Sequence, residues 1–209
     1  MGRILQESTN MTGRSLTPST ARGEATRTRV LEAAEQVFGA KGYHGASVTE
    51  ITRAAGVAQG TFYLYFRGKK EIFLDLVDDL GTRLRAVTLE ASAGAGSYSE
   101  AQERGFEAFF EFARGHRNIY RIIQECDRVG PTTYRRFYAL LADTYKRGAE
   151  AAGKGELADI DPEVLAYCML GVGHFVALRF LMWDHVAATE FERAAIGFVQ
   201  RGSCKGAST

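Results

Sequence analysis

The sequence predicts an all-α protein: an N-terminal three-helix, helix-turn-helix module joined by a long helix to a helical body. Three observations predict it. Apolar residues recur three and four apart in successive segments, as one face of a helix requires. No segment alternates apolar and polar residues in the way of a half-buried strand. Between Ala46 and Lys70 two short helical patterns are separated by a glycine turn, the second aromatic and polar rather than evenly apolar.

Residues 1–23 mix Ser, Thr, Gly and Arg with little apolar content and are expected to be a disordered tail. Arg3, Arg14 and Arg22 in it either graze phosphates or stay solvated. Residues 24–70 form the first module and 71–209 the body. Val30, Ala34, Val37 and Phe38 mark a helix from about Thr26 to Gly42. Ser47 and Glu50 then make a capping box at the next helix start, each side chain accepting from the other's amide. Ile51, Ala54 and Ala55 give that helix a narrow apolar face, and Gly56 supplies the left-handed residue that ends it. Val57 fills the corner. The second helix runs from Gln59 to Phe66, with Phe62 and Phe66 turned inward. Gln59, Thr61, Tyr63 and Tyr65 remain for the other faces, a hydrogen-bonding set suited to phosphates and base edges. Arg67, Lys69 and Lys70 follow where a new helix begins, and helix-start amides with a lysine make a phosphate clamp. Phe73, Leu76, Val77, Leu80 and Leu84 carry that long helix from about Lys69 to Ala91, and Ala93 to Ser99 is a small-residue loop. Further helices are expected at 99–114, 118–129 and 133–152. Asp161 caps the next one with Pro162 at its first position, and it runs to about Trp183. A last helix covers about 189–200.

The run Ile51-x-x-Ala54-Ala55-Gly56-Val57-x-x-Gly60-Thr61-Phe62-Tyr63-x-Tyr65-Phe66-x-x-Lys69-x-x-Ile72 resembles the signature of the TetR (tetracycline-repressor-like) family. With the preceding helix the resemblance covers about a quarter of the chain. It implies a DNA-binding module with contacts at Thr49, Gln59, Gly60, Thr61, Tyr63 and Lys69. Ser47 and Tyr65 complete the candidate DNA-binding set. Thr49 departs from the pattern, standing where many members have Arg, so a charge-assisted contact is missing there.

Charge distribution fits this division. Residues 1–70 hold ten Lys and Arg against five Asp and Glu, and the remainder 16 against 20. A basic module on a mildly acidic body suits a reader of double-stranded DNA carried by a domain with another task. No apolar run approaches a membrane span, and Ile4-Leu5 is too short for a signal-peptide core, so no membrane partner and a cytoplasmic location are expected. The three cysteines, Cys126, Cys168 and Cys204, are odd in number and widely spaced, which argues against a disulfide framework. Gly148-x-x-x-x-Gly153-Lys154 matches part of a phosphate loop, but Gly155 stands where the magnesium-binding hydroxyl belongs and a helix precedes it. It reads as a helix terminus. His44, His116, His174 and His185 have no metal-ligand spacing. No nucleophile–base or paired-carboxylate arrangement is visible, so no enzyme, cofactor or metal is expected.

The body invites two functions. The helix 162–183 is apolar on more than one face, with Gly171 and Gly173 allowing close approach; a helix greasy most of the way round must be covered on most sides. Its own domain can cover one side, and the other suggests a second copy of the chain; the alternative is a helix buried wholly in its own core. The family resemblance likewise implies a dimer built from the last two helices, 162–183 and 189–200. Aromatic residues are abundant in the body. Most fill a core, yet Phe106, Phe109, Phe110, Tyr138, His174 and Phe175, with Arg121 and Arg128 to orient an anionic group, form the candidate ligand-binding set. The resemblance implies a small hydrophobic effector of acyl-CoA, fatty-acid or aromatic type that releases a repressor from an inverted-repeat operator. The alternative is a helical ligand-binding or enzymatic protein with a vestigial helix-turn-helix. The intact Gln59, Thr61, Tyr63 and Lys69 set separates the two.

Overall fold

A computed structural model describes residues 20–152, 155–183 and 189–205. The expectations for residues 1–19, for Gly153 and Lys154 and for His185 lie outside the described residues. Helix α1 (Ala21–Gly45) starts ahead of the expected boundary at 24, because Thr20 caps it: its hydroxyl accepts the Gly23 N–H at 3.1 Å. Residues 21–23, Arg22 among them, are therefore helical rather than tail. The glycine expected to end this helix does break it, with Gly42 at φ 71°, a conformation that costs glycine little.

Helix α2 (Val48–Ala55) opens on the expected capping box. The Glu50 amide donates to Ser47 Oγ at 3.3 Å, and the Ser47 amide donates to Glu50 Oε2 at 3.0 Å. Gly56 ends it at φ 65°. Its buried face is Ile51 with Thr52, and Ala54 is exposed instead. Thr52 can be buried because its hydroxyl donates to the Thr49 carbonyl at 3.0 Å. Helix α3 (Gln59–Tyr63) is shorter than the expected 59–66. Beyond Tyr63 the amides of Leu64 and Tyr65 tighten onto carbonyls three residues back, and the chain turns toward Gly68.

Helix α4 (Lys69–Ser92) is the spine, in contact with α1 and with three body helices, α5 (Tyr98–Gly115), α6 (Ile119–Val129) and α7 (Pro131–Ala152). Phe38, Phe62, Phe66 and Phe73 have no exposed surface and close the core of the first module, Phe38 and Phe73 meeting edge to face at 5.0 Å. Arg27 lies over the Phe66 ring and pairs with Asp75 at 2.8 Å, bolting α1 onto α4. In the body, Phe106, Phe110, Ile122 and Met169 are the large buried side chains. Asp161 caps α8 (Pro162–Ala177) by accepting the Glu163 and Val164 amides, as the Asp-Pro pair predicts. The helix continues as a π-helical turn, Leu178–Trp183, and α9 (Thr189–Ser203) packs back on α5 and α8. Among the described residues the only β feature is an isolated bridge between Leu157 and Cys204.

One expectation is corrected. The segment Pro162–Trp183 is long and apolar enough to cross a membrane, with a mean hydropathy of 1.8 in its best window. Glu163, His174 and Arg179 are the only strongly polar interruptions, too few to lower that mean. Yet α5, α7 and α9 pack against α8. Only 39% of the apolar window is buried within the chain, so an apolar face remains to be covered.

Candidate nucleic-acid interface and effector cavity

The capping box and Gly56 aim α3 outward, while Phe62 and Phe66 root it in the core. What remains on its surface is the polar set expected. Gln59 and Gly60 are exposed, Tyr63 is 49% exposed, and Thr61 and Tyr65 are half-buried. Thr49 is exposed on α2. Gly60 is informative because nothing inside the molecule requires it. A methyl group there would meet no atom within 4 Å, and its backbone is not left-handed. Gly60→Ala is therefore expected to leave thermal unfolding unchanged or raise stability by up to about 1 kcal/mol, while weakening DNA binding through a clash with a closely approaching phosphate backbone. Thermal melts beside DNA titrations separate the two effects. Equal DNA affinity in the variant would remove Gly60 from the interface.

Two members of the expected set are committed elsewhere. The Ser47 hydroxyl donates to Glu50 Oε2 at 2.8 Å while accepting the Glu50 amide, so it builds the cap. The Lys69 ammonium donates to the Ala46 carbonyl at 2.9 Å and lies 4.7 Å from the centroid of the Tyr43 ring. It fastens the start of α4 to the α1–α2 junction because those carbonyls, freed beyond Gly42, need a donor. Lys41 pairs with Glu50, whose carboxyl is held below the usual carboxylate range by that lysine and by Ser47. Arg53 and Lys70 are exposed cations at this end, and the first turn of α4 has no side-chain cap.

The expected ligand set is only partly assembled. Phe109, Tyr138 and His174 line an apolar cavity with Leu84, Phe112, Tyr120 and Leu170. Its volume is about 40 Å³, well below the roughly 300–1,000 Å³ of small-molecule pockets. Phe106 and Phe110 belong to the core behind it. The other three are elsewhere. Phe175 points outward and is 66% exposed, because α8 turns that face away from α5 and α7. Arg128 is exposed at the end of α6. Arg121 turns from the cavity to donate to the carbonyls of Gly39 at 3.1 Å and Ala40 at 3.0 Å, which the break at Gly42 leaves free. The cavity thus has no cation: burial lowers the His174 pKa and favours neutral imidazole, and it raises those of Tyr120 and Tyr138.

Sequence reasoning missed the contacts between module and body. Helix α6 grips the end of α1. Arg121 takes the two carbonyls, Glu125 accepts the Tyr43 amide, and Asn118 sits so close to Gly39 that a methyl group there would overlap it. The opposite face of α6 supplies Ile119, Tyr120 and Ile123 to the cavity. A second link joins Glu35 on α1 to His116 Nδ1 at 2.8 Å, with Arg83 Nη2 3.0 Å from the other ring nitrogen. His116 stacks on Phe112, itself a cavity residue. The available signal was Gly39-x-x-Gly42, two small residues one helical turn apart. Cys126 is buried, which pushes its thiol up to about 11 and keeps it protonated, whereas Cys168 is exposed.

Similarity to known proteins agrees with this geometry. The model for bacterial regulatory proteins, tetR family, matches residues 30–76. An uncharacterized HTH-type transcriptional regulator of Bacillus subtilis (strain 168), YdgC, is 30% identical over 168 residues, covering 78% of this chain and 84% of that protein. The solved structure of the fatty acid degradation regulator FadR from Bacillus halodurans aligns with a TM-score of 0.67 at 20% identity, over 88% of this chain and 95% of that one. A TetR family transcription regulator from Marinobacter aquaeolei VT8 aligns with a TM-score of 0.69 at 17% identity, over 88% and 97%.

Proposed function

The chain belongs to the tetR family of bacterial regulatory proteins and is a DNA-binding transcription regulator, and on that premise we propose that it is a dimeric repressor released from its operator by a small hydrophobic effector. One observation carries the DNA half: α3 presents Gln59, Gly60 and half of Tyr63 to solvent, and nothing in the internal packing requires a glycine at 60. Residues 24–70 read DNA and 71–209 bind effector and partner, in the cytoplasm and without catalysis. Gln59 and Thr61 face base edges, Thr49, Tyr63 and Tyr65 the phosphates, and Ser47 and Lys69 hold the module in shape.

The uncovered face of α8 and α9 supports the dimer. Val164, Tyr167, Phe175 and Trp183 are exposed along α8 and its continuation, with Phe191 and Phe198 on α9. A two-fold dimer reads an inverted repeat whose half-sites lie about 34–36 Å apart or a multiple of that. The cavity against α6, and the shared fold of a fatty acid degradation regulator, favour an apolar effector. The test is capture of fragments from the protein's own genome, followed by footprinting. A symmetric protected site with the predicted spacing is expected. Failure to enrich any sequence, or protection of a single asymmetric half-site, overturns the operator reading.

A further inference from the structure

We propose that the effector is a single-chain amphiphile with an acidic head, and that it enters and is held at the DNA-distal end of the body. The site is the cleft between the C-terminal halves of α4 and α7 and the start of α5. The inference rests on the effector reading above and names the mouth of that site. The cleft encloses about 530 Å³, within the range that holds a small molecule, where the inner cavity of about 40 Å³ does not.

The two spaces are one helical turn apart on each shared helix, about 5.4 Å. On α4 the lining passes from Leu84 to Thr88, on α5 from Phe109 to Gly105, and on α7 from Leu141 to Tyr145. Tyr145 lines the cleft, and Phe106 is buried behind it with the two ring centroids 6.1 Å apart. Gly105 lets α5 come close to α4, a methyl group there lying 3.0 Å from Ser92 Oγ, and Tyr145 stands on the cleft wall. An extended alkyl chain is narrow enough to pass where a rotated Phe106 makes way, and it then fills the apolar cavity beside Tyr138 and His174. A bulky fused-ring ligand is not.

The rim selects the head. Arg85 and Arg147 both pair with one carboxylate, Asp143, at 3.5 and 2.9 Å, so one positive charge remains uncompensated there. Glu156 on the opposite rim accepts the Tyr98 amide at 2.7 Å and repels an acid toward the arginines. A carboxylate at the arginine side matches the unbalanced charge of the Arg85–Asp143–Arg147 cluster, with the Tyr145 hydroxyl on the cleft wall as a further donor.

The test uses a dansyl-labelled undecanoic acid, titrated by fluorescence into the full-length protein. Saturable binding is expected, weaker by about tenfold for the methyl ester and for Arg147→Gln, the loss of one charge-assisted hydrogen bond. Ala101→Trp fills the cleft and should abolish binding while ligand-free operator affinity stays native. Gly148→Phe is the second blocking variant should the first misfold. Native-like probe binding in both folded blocking variants overturns the mouth, though operator release by the probe would still uphold the effector reading. Binding that the blocking variants abolish, without operator release, keeps the site and overturns its role as effector site. No binding to the native protein overturns the amphiphile class.

Discussion

Phe175→Asp is expected to turn the dimer into folded monomers and to remove most of the operator affinity. Phe175 is 66% exposed in the isolated chain, so the substitution leaves the fold intact. It lies mid-way along an apolar stripe with Val164, Tyr167 and Trp183, and beside it Gly171 has open space that lets a second helix approach closely. Burying each large aromatic of such a stripe contributes roughly 1.5–3 kcal/mol. A carboxylate buried in that stripe carries a desolvation cost of several kcal/mol. Association is then lost at micromolar concentration, and a monomer can hold only one half-site. Light scattering with circular dichroism checks the outcome. A persistent dimer would place the interface on another face.

The second large effect is expected from Arg121→Ala combined with Glu125→Ala. These side chains hold the carbonyls of Gly39 and Ala40 and the Tyr43 amide, while the other face of α6 lines the cavity. Helix α6 thus touches both the cavity proposed for the effector and the segment that leads into α2 and α3. Cutting the grip should spare operator binding without ligand, because α4 still carries the module through Arg27–Asp75 and the Phe38–Phe73 contact. Effector coupling, typically about 1–3 kcal/mol, should fall toward zero. Hydrogen exchange at the Tyr43 amide should speed up, since its acceptor is gone. Unchanged release of operator by the dansyl-labelled acid would assign the transmission to α4 alone.

Much of this architecture is legible in the sequence because local chemistry sets it. Ser47 with Glu50, Gly56, and Asp161 with Pro162 are caps whose geometry depends on neighbours three or four residues away, and each forms as read. Helix α3 is shorter than its pattern suggests because Leu64 and Tyr65 tighten into a turn that periodicity does not reveal. The ligand set is where reading from one dimension fails. Arg121, Arg128 and Phe175 sit on helices that border the cavity, but their places around each helix axis are set by long-range packing. Arg121 faces α1 only because Gly39 and Gly42 let α6 come close and Gly42 frees carbonyls to bond. Lys69 is likewise drawn inward by carbonyls from a distant part of the chain.

The most direct test of the central claim, that the polar face of α3 reads DNA, is a fluorescence-anisotropy titration of the captured operator. The native protein is compared with a Gln59→Ala, Tyr63→Ala double variant whose thermal unfolding matches it. Each lost contact is worth about 1–3 kcal/mol, and both residues occur twice in a dimer, so affinity should fall by roughly a hundredfold or more. Equal affinity of the two proteins for the operator would contradict the assignment.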